Sequence, residues 1–224
     1  MLNKQGPGKI DWTDYTWNPI SGCDHGCPYC YMLRMEKRFP GVMKPTFHEK
    51  RMDDIKGLRK PSKIFVGSSG DMWGHWVDKQ WISDVLEVVD NHTQHTFQFL
   101  TKNPLRYEQF FTEYSTNAWF GTTNDGTDNT AANIDLLVYS VSSKLIRFVS
   151  FEPLLKKPDI IDHQMAALDW IIIGADSTRG AKKPPNEWAD WLMDMASEVG
   201  TAVWVKDNYS YPDPIKDFPF VKHE

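Results

Sequence analysis

Short β-rich apolar runs alternate with helical stretches through most of this chain, and this alternation constrains the fold more than any other feature. The predicted strands cover residues 15–20, 63–67, 95–101, 118–123, 145–151, 170–174 and 201–205. The predicted helices cover residues 81–89, 104–114, 130–139 and 187–199. Such repeats build parallel strands covered by helices. Because six or seven strands are too few for a closed eight-stranded barrel, the sequence predicts an α/β fold, a partial (β/α)6-type barrel with outer helices.

The chain of 224 residues is predicted to form a single domain, because no linker, repeat or low-complexity segment divides it. Residues 1–10 are predicted to be an N-terminal extension, and residues 209–224, which contain three prolines, an irregular C-terminal strap. We find no apolar run of membrane-spanning length and no signal peptide at the N-terminus. These features predict a cytoplasmic protein without membrane contact, in a compartment where thiols stay reduced.

All three cysteines, Cys23, Cys27 and Cys30, lie within eight residues of one another. No thiol elsewhere in the chain can pair with them, which argues against a structural disulfide framework. Three thiolates without a fourth suggest a metal centre with one open ligand position. Two alternatives remain: a zinc site completed by His25 or His48, and a redox pair of Cys27 and Cys30 that leaves Cys23 without a role.

The spacing C-x3-C-x2-C, with an aromatic residue before the last cysteine, resembles the radical S-adenosylmethionine (SAM) superfamily. The resemblance implies that Cys23, Cys27 and Cys30 hold a [4Fe–4S] cluster, and that SAM binds the fourth iron through its amino and carboxylate groups. It also implies that Tyr29 lies against the adenine of SAM. A partial barrel is the fold that this superfamily adopts, so the resemblance and the strand pattern agree.

Five further motifs occur in a fixed order, and they widen the resemblance to nearly the whole chain, residues 8–206. They are Asp-Trp-Thr-Asp-Tyr-Thr-Trp-Asn-Pro-Ile-Ser-Gly-Cys, Phe-Val-Gly-Ser, Phe-Leu-Thr-Lys, Ser-Phe-Glu-Pro-Leu and Trp-Ile-Ile-Ile-Gly. Together they are similar to a phage-associated family of short radical-SAM-like proteins of unknown function. A phage-encoded protein of this kind would act in the host cytoplasm.

Polar residues follow several predicted strands, and the carboxyl ends of parallel strands are where such folds gather their chemistry. The motif after the second strand resembles the superfamily segment that holds the SAM amino group, although a plain turn before a helix is the alternative. The residues that the resemblance assigns to SAM at these strand ends are Gly67, Ser68, Ser69, Gly70, Asp71, Thr122, Asn124, Ser150, Glu152 and Gly174.

Other residues near the strand ends are candidates for catalysis or for substrate binding. Glu152, Lys102 and Gln98 are the catalytic candidates; an ion pair of Glu152 with Arg147 or Lys156 is the alternative. The substrate candidates are Arg179 and Lys182 for a phosphate or carboxylate, and Trp73, Trp76 and Tyr209 for stacking on a base. Solvated loop charge and core packing are the simpler roles for these side chains.

The overall charge of −5 argues against general coating of nucleic acid, but the charge is uneven. The basic segment, residues 34–63, holds ten basic and four acidic residues. It can be a solvated surface or a docking site for a phosphate backbone.

The resemblance therefore implies an enzyme that forms a 5′-deoxyadenosyl radical and abstracts a hydrogen atom, with a side chain on a modified phage DNA base or a nucleotide as the expected substrate. A flavodoxin- or ferredoxin-like protein is the expected electron donor. Two other functions are a radical SAM lyase that repairs DNA photoproducts and a non-catalytic, zinc-stabilised nucleic-acid-binding module. The sequence sets no oligomeric state.

Overall fold

The computed structural model describes residues 2–6, 8–110 and 116–220 of the chain. By packing, the chain divides into two compact units, Met1–Trp119 and Phe120–Glu224. Each unit combines strands with helices, and each is described by itself below.

The first unit contains six strands and begins a seventh. They are β1 (Leu2–Lys4), β2 (Tyr15–Trp17), β3 (Ile20–Ser21), β4 (Thr46–Phe47), β5 (Lys63–Val66), β6 (Thr96–Thr101) and the start of β7 (Ala118–Thr123). Its α-helices are α1 (Tyr31–Arg38) and α2 (Lys79–Asp90), and its 3-10 helices are Glu49–Gly57 and Pro104–Phe110.

Strands β2, β5 and β6 are parallel neighbours, and β1 pairs with β2 in the antiparallel direction. The predicted N-terminal extension thus supplies an edge strand. The predicted strand 15–20 divides into β2 and β3, because Pro19 lacks the N–H that would continue the ladder. Strand β3 instead pairs with β4 in a separate antiparallel ribbon.

Helix α2 shows why the sequence folds as it does in this unit. The Asp78 side chain caps the helix by accepting a hydrogen bond from the Gln80 amide at 2.8 Å. Its apolar residues recur at helical spacing and are buried: Ile82, Val85, Leu86 and Val89. The helix therefore has one core-facing stripe.

The second unit has the strand order β7, β8 (Ile146–Phe151), β9 (Trp170–Ile173) and β10 (Ala202–Val205). Strands β8, β9 and β10 are parallel, and every residue of β8 is buried, as expected for a strand covered on both faces. The helices are α3 (Asn133–Ser140), α4 (Asp162–Ala166) and α5 (Asn186–Val199), with a 3-10 turn at Asp207–Tyr209.

The predicted α/β fold with mostly parallel strands and helices is confirmed. The sequence pattern missed α1, β4 and α4, which are short. The predicted helix 104–114 is a 3-10 helix as far as Phe110, and its last residues lie outside the described ones, as do residues 221–224 of the predicted strap. Within the described ranges, none of the helices combines the length and the apolar character needed to cross a membrane.

Candidate active site

Three chain segments of the first unit meet at the carboxyl ends of β2, β5 and β6. The cysteine loop, residues 23–30, comes shortly after β2 and β3. The 67–71 turn directly follows β5, and Lys102 directly follows β6. This edge is where parallel α/β folds place their binding sites.

The start of the cysteine loop is fixed by close backbone packing. The Gly22 amide donates a hydrogen bond to the Ser69 carbonyl at 3.1 Å, and the Cys23 amide donates to Met43 at 2.9 Å. Gly22 adopts φ +88°, and a Cβ there would lie 2.3 Å from the Lys44 carbonyl oxygen. Only glycine fits this position, because both the backbone conformation and the space exclude a side chain.

The middle of the loop is held by its histidine. The His25 Nε2 atom lies 2.7 Å from the Asp71 carboxylate, and the ring packs edge-on against Trp76 with centroids 4.8 Å apart. Because an ionised carboxylate only accepts, Nε2 is the donor in this hydrogen bond. The loop between Cys23 and Cys27 is therefore attached to the segment that follows β5.

The end of the loop runs into α1 and is attached to the same turn. The Cys30 amide donates to the Cys27 carbonyl at 3.0 Å, which closes a tight turn between two of the thiols. The Tyr31 hydroxyl then donates to the Ser68 carbonyl at 2.7 Å. Partial burial raises the pKa of Tyr31 to about 12, so this donor keeps its proton at physiological pH, although 46% of the residue is exposed.

Asn18 braces the turn from the other side. Its Oδ1 atom accepts from the Ser69 amide at 2.8 Å, and its Nδ2 atom donates to the Ser68 hydroxyl at 3.1 Å. The 67–71 turn thus holds the cysteine loop near its start, in its middle and just past its end.

The surroundings of Cys23 favour a cationic partner for its thiolate. Burial raises the pKa of the Cys23 thiol to about 12, and the nearby Asp71, Cys27 and Cys30 act in the same direction. A thiolate at this position therefore needs a positive charge beside it, which a bound metal centre supplies. Three thiols on one tight loop, without a fourth cysteine in the sequence, fit a [4Fe–4S] cluster with one open iron.

A single metal ion is the alternative occupant of the same residues. Among the described residues, no three His, Cys, Asp or Glu side chains converge on one point that could hold an ion. A zinc ion needs such convergence, whereas thiolates on a cubane each bind a different iron. The two histidines proposed as zinc ligands each use Nε2 in a hydrogen bond, His25 to Asp71 and His48 at 2.7 Å to the Ser21 hydroxyl, so only Nδ1 of either ring is left for a metal.

Two further candidates of the first unit differ in their surroundings. The Lys102 ammonium lies 5.4 Å from the centroid of the Tyr29 ring, so it belongs to the same edge as the cysteine loop. Gln98 instead lies within β6, opposite Phe65, and is fully buried. Its amide donates to the Trp12 carbonyl at 3.5 Å, which gives it a structural contact inside the unit.

Among the predicted residues of the second unit, Glu152 and Gly174 are in direct contact. The Glu152 carboxylate accepts hydrogen bonds from the Lys206 ammonium and, at 3.2 Å, from the Asn208 amide. The ion-pair partner of Glu152 is thus Lys206 rather than Arg147 or Lys156, because Glu152 and Lys206 directly follow the parallel strands β8 and β10 at the same edge of the sheet. A Cβ on Gly174 would lie 2.9 Å from the Glu152 Cδ atom, so this glycine makes room for the carboxylate. Side chains of Thr122, Asn124 and Ser150 are buried.

The four main substrate candidates divide into exposed and buried residues. Arg179 and Lys182 are exposed on the loop after β9. Trp73 is fully buried and packs edge-on against Phe99, Tyr107 and Phe110. Tyr209 is also buried and donates its hydroxyl to the Pro185 carbonyl at 2.7 Å. Core packing therefore accounts for both aromatic residues.

Sequence reasoning did not assign roles to Asn18, Lys206 or Asn208. Lys206 directly follows β10, so the same attention to strand ends would have found it. Asn18 and Asn208 carry no such signal, because their roles depend on which turns they meet in three dimensions.

Comparison with solved structures defines the class of fold: a parallel α/β partial barrel of the kind found in spore photoproduct lyase. A substituted variant with bound AdoMet and dinucleoside spore photoproduct matches with a TM-score of 0.56 and 9% identity, over 88% of this chain and 64% of that one. This chain thus spans less than two thirds of that protein. The lyase complexed with dinucleoside spore photoproduct matches with a TM-score of 0.58 and 10% identity, over 92% of this chain and 78% of that one. Another substituted variant matches with a TM-score of 0.58 and 11% identity over the same shares of the two chains.

The chain belongs to the family described as protein of unknown function (DUF5131), whose model matches residues 7–214. No curated protein matches the sequence. The predicted association with phages stays a prediction.

Proposed function

We propose that this protein is a radical SAM enzyme whose Cys23, Cys27 and Cys30 hold a [4Fe–4S] cluster with SAM at its open iron. The observation that carries this proposal is the attachment of the cysteine loop, at three points, to the carboxyl ends of neighbouring parallel strands. A loop used only for packing has no need of such support. The shared fold with spore photoproduct lyase, one structure of which contains AdoMet, agrees with this function.

The chemistry that such a cluster supplies when bound is one-electron cleavage of SAM to a 5′-deoxyadenosyl radical. The chain's own residues would hold the reactants in place. Tyr29 offers an aromatic ring between two of the thiols, and Lys102 places a positive charge against that ring. Rigid placement matters here because a radical reacts with the nearest hydrogen atom, so the enzyme must select which one that is.

We further propose that the substrate is a base in DNA or a nucleotide. Helix α1 begins directly after Cys30 and exposes Arg34, Lys37 and Arg38 beside the cysteine loop. Tyr31, at the start of the helix, is 46% exposed, and Phe39, which directly follows the helix, is 50% exposed. Basic side chains interleaved with aromatic rings suit a phosphate backbone and its bases. The expected reaction remodels or rearranges a side chain on a modified base.

Repair of a pyrimidine photoproduct is the second candidate reaction. It is favoured by the two solved neighbours that contain dinucleoside spore photoproduct, and it uses the same cofactors. A flavodoxin- or ferredoxin-like protein remains the proposed electron donor, and the cytoplasm, a host's if the protein is phage-encoded, the proposed location.

The test is an anaerobic assay of 5′-deoxyadenosine after reconstitution with iron and sulfide, reduction and addition of SAM. We expect the nucleoside to form, and to form faster with DNA that carries the right base. Modified phage DNA and a dinucleoside photoproduct are compared as substrates, and the products are identified by mass spectrometry. Conversion of the photoproduct would select the repair lyase, and conversion of the modified DNA would select side-chain remodelling. A reconstituted protein that forms no nucleoside with any substrate would contradict the proposed function.

A further inference from the structure

We propose that Asp71 is a positioning residue that holds the cysteine loop through His25 and Lys102, and that it does not bind the amino group of SAM. The inference rests on the proposed function for the meaning of the loop, but its structural part concerns only this chain's own hydrogen bonds. It departs from the role that the motif of the 67–71 turn implies for its acidic residue.

The first argument is that the Asp71 carboxylate already has a full set of donors. Its Oδ2 atom accepts from His25 Nε2 at 2.7 Å, from the Thr101 hydroxyl at 2.8 Å and from the Lys102 amide at 3.0 Å. Its Oδ1 atom accepts from the Trp73 amide at 3.0 Å. Each carboxylate oxygen offers about two acceptor positions, so Oδ2, the oxygen that holds the loop, is fully occupied, and an ammonium group could bind it only by displacing one of its donors.

The second argument is burial. Asp71 is only 6% exposed, so its charge has little access to water. A buried carboxylate is stable only when hydrogen-bond donors surround it, and removal of one donor leaves part of its negative charge uncompensated. Displacement of an existing donor by a ligand would therefore be costly, whereas a fixed set of donors makes a rigid attachment point.

The third argument is that Asp71 links both intervals between the cysteines. His25 occupies the interval between Cys23 and Cys27, and it binds the carboxylate directly. Tyr29 occupies the interval between Cys27 and Cys30, and the Lys102 ammonium lies 5.4 Å from its ring centroid. The Lys102 amide also donates to Asp71. The same carboxylate therefore fixes both intervals of the loop relative to the end of β6.

The substitutions His25→Ala, His25→Gln and Asp71→Asn separate positioning from ligand binding. Alanine removes the loop's donor, whereas glutamine keeps an N–H that can reach the carboxylate. The backbone N–H groups of Trp73 and Lys102 donate to different oxygens of Asp71. Asparagine has a single side-chain oxygen, so its NH2 group must face one of these two N–H groups. Because a backbone N–H cannot accept a hydrogen bond, that contact is lost. The matched control is Asp84→Asn on α2, where the exposed carboxylate accepts from Gln80 at 2.8 Å.

The first measurement uses the metal-free full-length protein and follows hydrogen exchange of residues 22–31 and the reaction of the three cysteines with a thiol reagent. We expect both rates to rise about threefold or more in His25→Ala and Asp71→Asn, because a loop with fewer anchors opens more often. His25→Gln and the Asp84 control should stay near wild type. Unchanged rates in both anchor variants would overturn the proposal, whether or not the protein binds iron.

The second measurement uses the reconstituted protein and compares loss of iron to a chelator with the dissociation constant for SAM. We expect Asp71→Asn to lose iron about threefold faster, while its fully loaded form binds SAM within about twofold of wild type. A fall of about tenfold in SAM affinity with unchanged iron retention would identify Asp71 as a SAM ligand and overturn the proposal. A protein that takes up no iron would instead contradict the proposed function, and the metal-free measurement would still decide the role of Asp71.

Discussion

The backbones of Gly22 and Gly70 touch: a Cβ atom on Gly70 would lie 2.5 Å from the Gly22 carbonyl oxygen. Gly22 immediately precedes the first cysteine of the loop, and Gly70 lies in the turn that holds that loop. Two segments almost fifty residues apart in sequence are therefore in direct main-chain contact, and any side chain at Gly70 would force them apart.

Gly70→Ala is expected to destabilise the protein by about 1–3 kcal/mol, because the added methyl group overlaps backbone atoms that cannot rotate away. The measurement is the free energy of unfolding in urea. Gly57→Ala is the matched control, because a Cβ at Gly57 meets nothing within 4 Å. We expect this control to stay within about 0.5 kcal/mol of wild type. Equal stability of the two variants would contradict the close contact.

Lys206→Met is expected to cost about 1–3 kcal/mol of stability, because it removes the cation from the Glu152 carboxylate and leaves it the hydrogen bond from the Asn208 amide. The side chains of Lys206 and Glu152 are 12% and 23% exposed, so water compensates the carboxylate only in part. Adding Glu152→Gln should recover part of the loss, since the second substitution removes the uncompensated charge. A double-mutant cycle measures this coupling, and additive effects of the two substitutions would count against the ion pair.

Stability should fall as the pH rises from about 10 to about 12, partly because of Tyr209. Burial raises the pKa of Tyr209 to about 12 in the folded protein, whereas an unfolded tyrosine ionises near pH 10. Within this window the unfolded state loses its proton first, which favours unfolding. Tyr209→Phe should show a shallower decline with pH when unfolding is measured between pH 9 and about 12. An identical slope in both proteins would exclude this contribution.

Reversing the charges of α1 should weaken binding to DNA. The variant carries Arg34→Glu, Lys37→Glu and Arg38→Glu, three exposed positions next to the cysteine loop. We expect duplex affinity to fall about tenfold or more, and the dependence of affinity on salt to become shallower, because fewer phosphate counterions are released. Lys144→Glu, at an exposed position on the second unit, is the control. The same loss in the control would show that overall charge, rather than α1, governs binding.

The strand–helix alternation predicted the class of fold because each strand is a distinct run of apolar residues. All residues of β8 and β9 are buried; β9 is entirely apolar, and β8 is apolar except for Arg147 and Ser150. The short elements gave no such signal. Strand β4 has two residues and forms only because β3 lies beside it, and α1 begins directly after Cys30 with a half-polar sequence. Local propensity is too weak to specify elements of this length.

The cysteine loop was predictable because its three thiols are the only ones in the chain. The contacts that support the loop could not be predicted, because they are backbone contacts and buried hydrogen bonds between segments that lie far apart in the sequence. Asp71 illustrates the difference: the sequence places it after a strand, but its four donors come from residues before, beside and after it in the fold. For a similar reason, the Trp73 side chain was predicted to bind substrate and is instead fully buried.

The most direct test of the central claim is electron paramagnetic resonance of the reduced, reconstituted protein with and without SAM. Wild type is compared with a variant in which Cys23, Cys27 and Cys30 are all replaced by alanine. We predict about four irons per chain in wild type, a [4Fe–4S] signal that changes when SAM is added, and neither iron nor signal in the variant. A wild-type protein that holds no iron, or whose electron paramagnetic resonance signal does not change when SAM is added, would contradict the account.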